Sequence, residues 1–253
     1  MWRLLLTMFF LIGSKNLLAD ERVIIFNMPE GGYPPYMINE ENTPHGGIIY
    51  DVLELILSKQ GYVLKTISVP KKRELEFFNA GKLDAHAMIK ELVDDPSRYE
   101  FSDPVLKVRN VLFTNIESPI IFNKVDDLIG KRAITHLGYK YPTLERYFEE
   151  GLIERHDTVD ERAMLGMLLL KRADFAVVND YVGAWIIQQR KWLGRFQVSK
   201  KALTTYDYRI MFSKKFRLLV LKFNKELALL KENGYLKKII EKHIVCNDND
   251  VCT

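Results

Sequence analysis

Two tyrosines lie in a segment whose composition opposes regular secondary structure. Residues 28–36 contain Tyr33 and Tyr36 together with two adjacent glycines and two adjacent prolines, which predicts a shaped loop. Residues 23–27 before it are mostly apolar and predict a strand. Because open α/β sheets bind ligands beyond the carboxyl ends of their strands, both rings are candidates to cover a small ligand. The alternative is a surface turn that carries two tyrosines.

Three ionisable side chains could instead support catalysis. General acid or base chemistry needs a titratable group with a tuned pKa in a cleft, and Glu30, His86 and Asp180 are the candidates. The chain shows no Ser/His/Asp spacing, no metal-ligand cluster and no phosphate-loop motif. The sequence therefore predicts binding rather than catalysis, with no metal and no cofactor.

The segment 136–141 lies between a predicted strand and a predicted helix. Pro142 suits the first turn of that helix and Gly151 suits its end. A helix N-terminus presents unpaired N–H groups and the positive end of the dipole, which suit a carboxylate or a phosphate. Gly138 and Tyr139 in this loop are therefore candidates for an anion site.

Two other segments have the apolar periodicity of amphipathic helices. These are residues 46–60 and 216–233, each with one apolar face and a polar opposite face. Thr158 and Glu161 have the spacing of a capping box, which predicts the start of a further helix at this point.

The stretch 69–104 combines four local signals in a fixed order. An alternating apolar run ends at Pro70, which cannot donate to a sheet. A short amphipathic helix then ends at Gly81, where a left-handed turn is expected. A second strand at 83–88 and a polar loop at 91–98 complete the stretch.

This stretch resembles the signature of the type II periplasmic solute-binding proteins, the amino-acid-binding family that serves ABC transporters. The similarity lies in NAGKLDAHAM at 79–88 and in SRYEFSDPV at 97–105. Residues 70–73, PKKR, resemble the PWKR segment of a divergent branch, with Lys71 where that branch has Trp. Similarity to the family extends over nearly the whole of residues 20–253.

The resemblance implies an α/β fold of two lobes, each a mixed sheet flanked by helices, with the ligand cleft between them. Residues 20–110 are expected to form the first part of lobe 1 and residues 111–205 to form lobe 2. Residues 206–253 then return to lobe 1. Two segments cross between the lobes, and bending there would close the cleft.

Two arginines enter the binding set through the resemblance. The family places an Arg before FSDP that forks onto the α-carboxylate of the ligand, a geometry that Lys cannot supply. Arg98 stands three residues before Phe101, a shorter gap than in the better-known members, and an ordinary surface role is the alternative. Arg73, in the PWKR-like segment, is the second arginine expected to contact ligand.

The resemblance also points to Asn179 and Asp180. Amino-acid binders carry an Asp at the end of the corresponding strand that pairs with the ligand's ammonium group. Counting from Asp174, that place falls on Asn179, with Asp180 next to it. A neutral amide holds an ammonium less well than a carboxylate does. The alternative role for either residue is the N-cap of a helix at 180–191, which does not exclude ligand contact.

The N-terminus predicts export. Residues 4–12 are almost wholly apolar but too short to span a bilayer about 30 Å thick. Residues 1–19 are therefore predicted to be a signal peptide cleaved after Ala19. The formal net charge is +4, and loss of two basic residues with this segment leaves +2. That balance gives no electrostatic case for nucleic acid or an anionic membrane.

The two cysteines, Cys246 and Cys252, both lie in the C-terminal tail. In an exported protein a disulfide between them is expected. The competing interpretation is a metal site completed by Asp248 and Asp250. No His stands at ligand spacing, so this set suits zinc poorly.

The leading hypothesis is a monomeric periplasmic receptor that closes on a small polar ligand and delivers it to a membrane ABC permease. The resemblance implies an amino acid or a related small carboxylate. One alternative is a secreted enzyme on the same fold, similar to cyclohexadienyl or prephenate dehydratases. The other is a ligand-sensing module that reports to a partner kinase.

Overall fold

The computed structural model describes residues 22–29, 31–40, 44–70 and 73–244. The predicted signal peptide, Glu30, Lys71 and the two cysteines lie outside these ranges. Within them the elements, in chain order, are β1 Arg22–Asn27, α1 Ile48–Lys59, β2 Tyr62–Ile67, α2 Glu74–Asn79, β3 Ala85–Ile89, β4 Tyr99–Phe101, β5 Leu106–Asn115, β6 Arg132–His136, α3 Glu145–Glu149, β7 Glu154–Thr158, α4 Glu161–Leu169, β8 Phe175–Asn179, α5 Asp180–Gln189, β9 Phe196–Val198, β10 Thr204–Ser213, α6 Arg217–Glu232 and α7 Tyr235–His243.

The strands form a mixed sheet in the order β2-β1-β3-β10-β5-β8-β6-β7, with β4 beside β10 and β9 beside β5. The pairs at each end are parallel, β1 with β2 and β3, and β6 with β7 and β8. The central pairs are antiparallel. The expected two mixed sheets are thus joined into one ladder through β5 and β10.

Strands β5 and β10 each serve both halves of the structure. Residues 204–208 of β10 pair with β5, while residues 208–212 pair with β3. Residues 106–110 of β5 pair with β10, and residues 110–113 pair with β8. These two strands are therefore the segments that cross between the halves.

Helices cover the sheet through the apolar faces that the sequence predicts. Ile49, Val52, Leu53 and Ile56 of α1 are almost completely buried. The inward residues of α6 and the short α7 are buried in the same cluster. On the other face of the first half, α2 packs Phe78 into a separate cluster. Within the described ranges, no helix combines the length and apolar character needed to cross a membrane.

Two helix starts differ from the sequence-based expectation. Helix α3 begins at Glu145 rather than near Pro142, because the residues before it form turns. The N-cap of α4 is Asp160, whose Oδ1 accepts from the Ala163 N–H at 2.7 Å. The predicted capping box is therefore wrong, since Thr158 is the last residue of β7.

Helix α5 packs so tightly on β5 that its glycine is required. A Cβ at Gly183 would lie 2.2 Å from Cζ of the fully buried Phe113. We expect Gly183→Ala to lower the free energy of unfolding by about 1–3 kcal/mol through overpacking. Gly166→Ala in α4 is the matched control, because its Cβ would lie 3.9 Å from Trp192. Helix propensity should make that control neutral or slightly stabilising.

Urea unfolding of the two variants and the wild type measures both effects. Equal midpoints for the two variants would show that α5 is free to shift away from β5.

Candidate functional site

The tyrosine loop after β1 is held by its own backbone. The Tyr33 N–H donates to the Met37 carbonyl at 2.7 Å, and the Ile49 N–H donates to the Tyr36 carbonyl at 2.9 Å. Gly32 has a φ of +72°, and a Cβ there would lie 2.6 Å from the Met37 carbonyl oxygen. The loop therefore needs glycine at this position, and it places the Tyr36 ring in the interior.

Three tyrosines pack around Tyr36. Its ring centroid lies 5.6 Å from Tyr33 in the same loop, 6.0 Å from Tyr181 on α5 and 5.4 Å from Tyr208 on β10. Burial raises the pKa of the Tyr36 phenol well above its usual value, and the Asp180 charge adds to this. Tyr36 is therefore a neutral hydrogen-bond donor at physiological pH.

One hydrogen bond joins the two halves of the structure at this cluster. The Tyr36 hydroxyl donates to Asn179 Oδ1 at 2.8 Å. The same oxygen accepts from the Val182 N–H at 3.1 Å, so Asn179 is the N-cap of α5. The N-cap role considered for Asn179 is therefore confirmed, and its contact with a ligand stays a prediction.

Asp180 follows as a buried carboxylate that accepts from backbone N–H groups and faces one guanidinium. Its side chain is about 3% exposed; Oδ1 accepts from the Tyr181 N–H at 2.8 Å, and Oδ2 lies 3.8 Å from Nη1 of Arg109. Loss of hydration raises the pKa of Asp180 to about 6, although the Arg109 charge and backbone N–H groups oppose that rise. The carboxylate is thus mostly ionised at neutral pH but incompletely compensated.

The two predicted arginines lie away from the tyrosine cluster. Arg98 is exposed at the end of a 3-10 turn and lines a surface pocket of about 160 Å³ with Tyr99 and Lys214. Arg73 is also exposed; its guanidinium lies 3.5 Å from Glu76 and covers the Phe77 ring. The structure does not bring either guanidinium to the cluster, and their ligand contacts stay predictions.

The loop at 136–141 is arranged differently from the expected anion site. The Tyr141 N–H already donates to Glu145 Oε1 at 2.8 Å, and α3 has only five residues. Gly138 lies in open space, and Tyr139 stacks on His136 at 4.1 Å. Burial is the main cause that raises the pKa of Tyr139 and of Tyr33, and the charge of Glu161 adds to it. The loop therefore borders the tyrosine cluster with a carboxylate beside it.

A second buried polar group lies on the α2 face of the sheet. His86 Nε2 lies 3.1 Å from Glu74 Oε2, and Asn27 Nδ2 donates to Glu74 Oε1 at 2.7 Å. His86 alternates along β3 with Ala85 and Ala87, which face the tyrosine side. Burial raises the pKa of Tyr208 and the charge of Glu74 adds to this effect, so the His86–Glu74 pair lies near the tyrosine cluster. Among the described residues, no group of three metal-binding side chains could hold an ion.

Sequence reasoning missed Arg109, Tyr181 and Tyr208. The two tyrosines lie within or directly beside segments that carry the family resemblance, so their proximity to a cleft could have been inferred. Arg109 stands in an extended segment, where no local pattern connects it to Asp180. Their contact depends on the pairing of Asn110 in β5 with Asn179 in β8.

Comparisons with known proteins agree with this fold. The model of the bacterial extracellular solute-binding proteins, family 3, matches residues 27–245. A search of curated proteins gives no match.

Several solved structures share the two-lobed type II architecture. Substrate-binding domain 2 of GlnP from Lactococcus lactis, in an open conformation, has 20% identity and a TM-score of 0.71, over 90% of this chain and 97% of that one. A histidine kinase sensor domain similar to periplasmic binding proteins has 21% identity and a TM-score of 0.68, over 88% and 96%.

A third structure is an ancestral amino acid-binding protein described as a precursor of cyclohexadienyl dehydratase. It has 17% identity and a TM-score of 0.65, over 88% of this chain and 95% of that one. These likenesses confirm the two-lobed α/β fold, and the family match confirms the resemblance seen at 79–88 and 97–105. The chain belongs to the bacterial extracellular solute-binding proteins, family 3.

Proposed function

We propose that this protein is a monomeric receptor that captures a small ligand bearing an ammonium group, such as an amino acid, between its two lobes. The lobes are residues 20–110 with 206–253, and residues 111–205. One observation carries the proposal: the buried, incompletely compensated carboxylate of Asp180 adjoins the Tyr36–Asn179 hydrogen bond between the halves. An ammonium group would pair with Asp180 through a charge-assisted hydrogen bond. The neighbouring phenol rings add cation–π attraction.

Delivery to a membrane ABC permease and residence in the periplasm belong to the same proposal. The family is named for extracellular solute-binding proteins, and the GlnP neighbour is itself a substrate-binding domain. The apolar segment at 4–12 supports export through a cleaved signal peptide.

A sensing role is the second candidate, supported by the likeness to a histidine kinase sensor domain. Lobe closure on a ligand would then be detected by a partner protein instead of a permease. His86 is paired with Glu74 and Asp180 with Arg109, and these separate partners favour binding over the dehydratase-like alternative. We therefore propose binding without turnover, with no cofactor.

A thermal-shift screen of residues 20–253 tests the receptor function. The panel contains the standard L-amino acids, simple amines, dicarboxylates and sugars. A ligand at about a hundred times its Kd adds about 2.7 kcal/mol to the free energy of unfolding. For a chain of this size, the Tm should rise by roughly 5–10 °C. We expect shifts among the amine-bearing compounds, and shifts given by sugars or dicarboxylates alone would contradict the proposal.

Tyr36→Phe should loosen the ligand-free protein without disturbing the ring packing. The variant loses the hydroxyl that reaches Asn179, a bond worth about 1 kcal/mol, while Asn179 keeps its cap on α5. We expect a larger radius of gyration by small-angle scattering in the absence of ligand. Tyr33→Phe is the matched control and should leave the radius unchanged. An unchanged radius in both variants would mean that other contacts hold the halves together.

Ligand affinity should increase as the pH rises through about 6, the pKa of Asp180 in the ligand-free fold. Only the ionised carboxylate pairs with an ammonium, so affinity should fall by up to about tenfold per pH unit below that pKa. The charged and phenolic groups that act on Asp180 are Arg109, Tyr36 and Tyr181. Burial raises the pKa of both Tyr36 and Tyr181 above the ordinary phenol value, so neither ring titrates in this range.

Calorimetric titrations at about pH 5, 6 and 7.5 would measure this profile for the wild type and for Asp180→Asn. The variant should bind weakly at every pH, with a flat profile. A linked check uses the ligand-free proteins. Because the pKa of Asp180 is raised in the folded protein, the wild type loses stability as pH rises toward and through 6 and the buried carboxyl group ionises. Asp180→Asn has no group to ionise, so its stability relative to the wild type should increase over the same pH range. A wild-type affinity that is independent of pH would exclude Asp180 as the ammonium partner.

A further inference from the structure

An amino acid carries a carboxylate as well as an ammonium group, and Asp180 can pair with the ammonium alone. Arg98, the residue that the family pattern suggests for the carboxylate, lies beside Phe78 and Lys214 on the α2 side of the first half. A guanidinium closer to Asp180 is present in Arg109 on β5.

We propose, on the basis of the receptor function above, that Arg109 rather than Arg98 binds the carboxylate of the ligand. The Arg109–Asp180 pair then takes up both charges of an α-amino acid at one corner of the cleft. The rings of Tyr36 and Tyr181, whose centroids lie 6.0 Å apart, supply apolar cover beside that corner.

The geometry of the pair suits this exchange of partners. Arg109 Nη2 donates to the Lys200 carbonyl at 2.8 Å, which orients the guanidinium plane. The separation of 3.8 Å between Nη1 and Asp180 Oδ2 is an ionic contact longer than a hydrogen bond. The Arg109 side chain is 24% exposed, so a ligand can reach it, whereas Asp180 lies beneath it. An incoming carboxylate and ammonium can therefore insert beside the pair, each against its opposite charge.

Charge balance favours a zwitterion at this corner over a simple amine. Arg109 and Asp180 together are neutral, and a zwitterion keeps the closed corner neutral. An amine without a carboxylate would instead take Asp180 as its partner and leave the Arg109 guanidinium without an anion when the cleft closes. A buried charge without a partner is unfavourable, so the pair should select against such amines. Arg also matches a carboxylate with two parallel N–H donors, which Lys cannot do.

The test compares each L-amino acid that raises the Tm with the amine formed by removing its carboxylate, for example L-arginine with agmatine. Calorimetry gives the affinity of each probe for the wild type. We expect the amine to bind on the order of 30-fold more weakly than the amino acid. Equal affinities, or amines binding while no amino acid does, would overturn the role of Arg109 and leave the receptor function standing. Failure of every amino acid and every amine would overturn the receptor function as well.

Three variants assign the effect to one arginine. Arg109→Ala should lose roughly 30-fold or more in amino-acid affinity while its affinity for the amine stays level or rises. Arg109→Lys, which keeps the charge without the planar fork, should fall between the two. Arg98→Ala is the control and should bind as the wild type does. Loss of amino-acid binding in Arg98→Ala with retention in Arg109→Ala would reverse the assignment.

The ratio of amino-acid affinity to amine affinity distinguishes the loss of a carboxylate contact from a general loss of folded protein. Partial unfolding lowers both affinities together, so only a direct contact with the carboxylate changes their ratio. If Arg109→Ala does not fold, the ratio measured in Arg109→Lys decides, and an unchanged ratio in that variant would overturn the proposal.

Discussion

The burial of the Asp180 carboxylate is the constraint around which the candidate site is built. Removing an ion from water costs several kcal/mol unless opposite charge and hydrogen bonds replace the lost hydration. Here backbone N–H groups, that of Tyr181 at 2.8 Å among them, and a guanidinium at 3.8 Å replace it in part, and the raised pKa of Asp180 reflects the deficit. A ligand that brings a positive charge to Oδ2 gains what the protein alone does not supply. Part of the free energy lost in burying Asp180 would thus be recovered when a cationic ligand binds.

The crossing strands determine which parts of the site move together. Arg109 precedes Asn110, which pairs with Asn179 at the end of β8, so Arg109 and Asp180 are fixed relative to each other by the sheet. Tyr36 is attached to the first half through the loop after β1, and it meets the corner through its hydroxyl on Asn179 and its ring beside Tyr181. Bending of β5 and β10 would therefore separate Tyr36 from Asn179 while the charged pair keeps its geometry. A ligand could engage the pair in an open cleft and then be covered by the tyrosines.

Local patterns in the sequence predict most of the fold, because they need only nearby residues to be satisfied. The buried stripes of α1 and α6 and the glycine that closes α2 follow from periodicity and turn chemistry. The start of α4 could not be found in this way, because Thr158 is committed to β7 opposite His136. The start of α3 depends on the Glu145 side chain reaching back to the Tyr141 N–H. Tertiary pairing decides both positions.

The site was less predictable than the fold for a related physical reason. The tyrosine loop and the Asn179–Asp180 corner could be predicted, because each follows a recognisable strand. The partnership of Tyr36 with Asn179 spans 143 residues and leaves no local trace. Arg109 is likewise connected to Asp180 only through strand pairing. Side chains at strand ends can be proposed from sequence, but the charges that meet there depend on the order of strands in the sheet.

The identities of residues 179 and 180 explain why a different arginine from the one in the family pattern would bind the carboxylate of the ligand. With Asn at 179, the amide forms a neutral bond to Tyr36, and the negative charge lies one residue later in the first turn of α5. That position is favoured by the helix dipole, and it faces β5 instead of the loop that carries Arg98. The short loop at 96–98 forms a 3-10 turn capped by Asp95, which holds Arg98 on the surface. The position of the Asp180 carboxylate next to β5 is therefore consistent with a binding role for Arg109, which lies on β5.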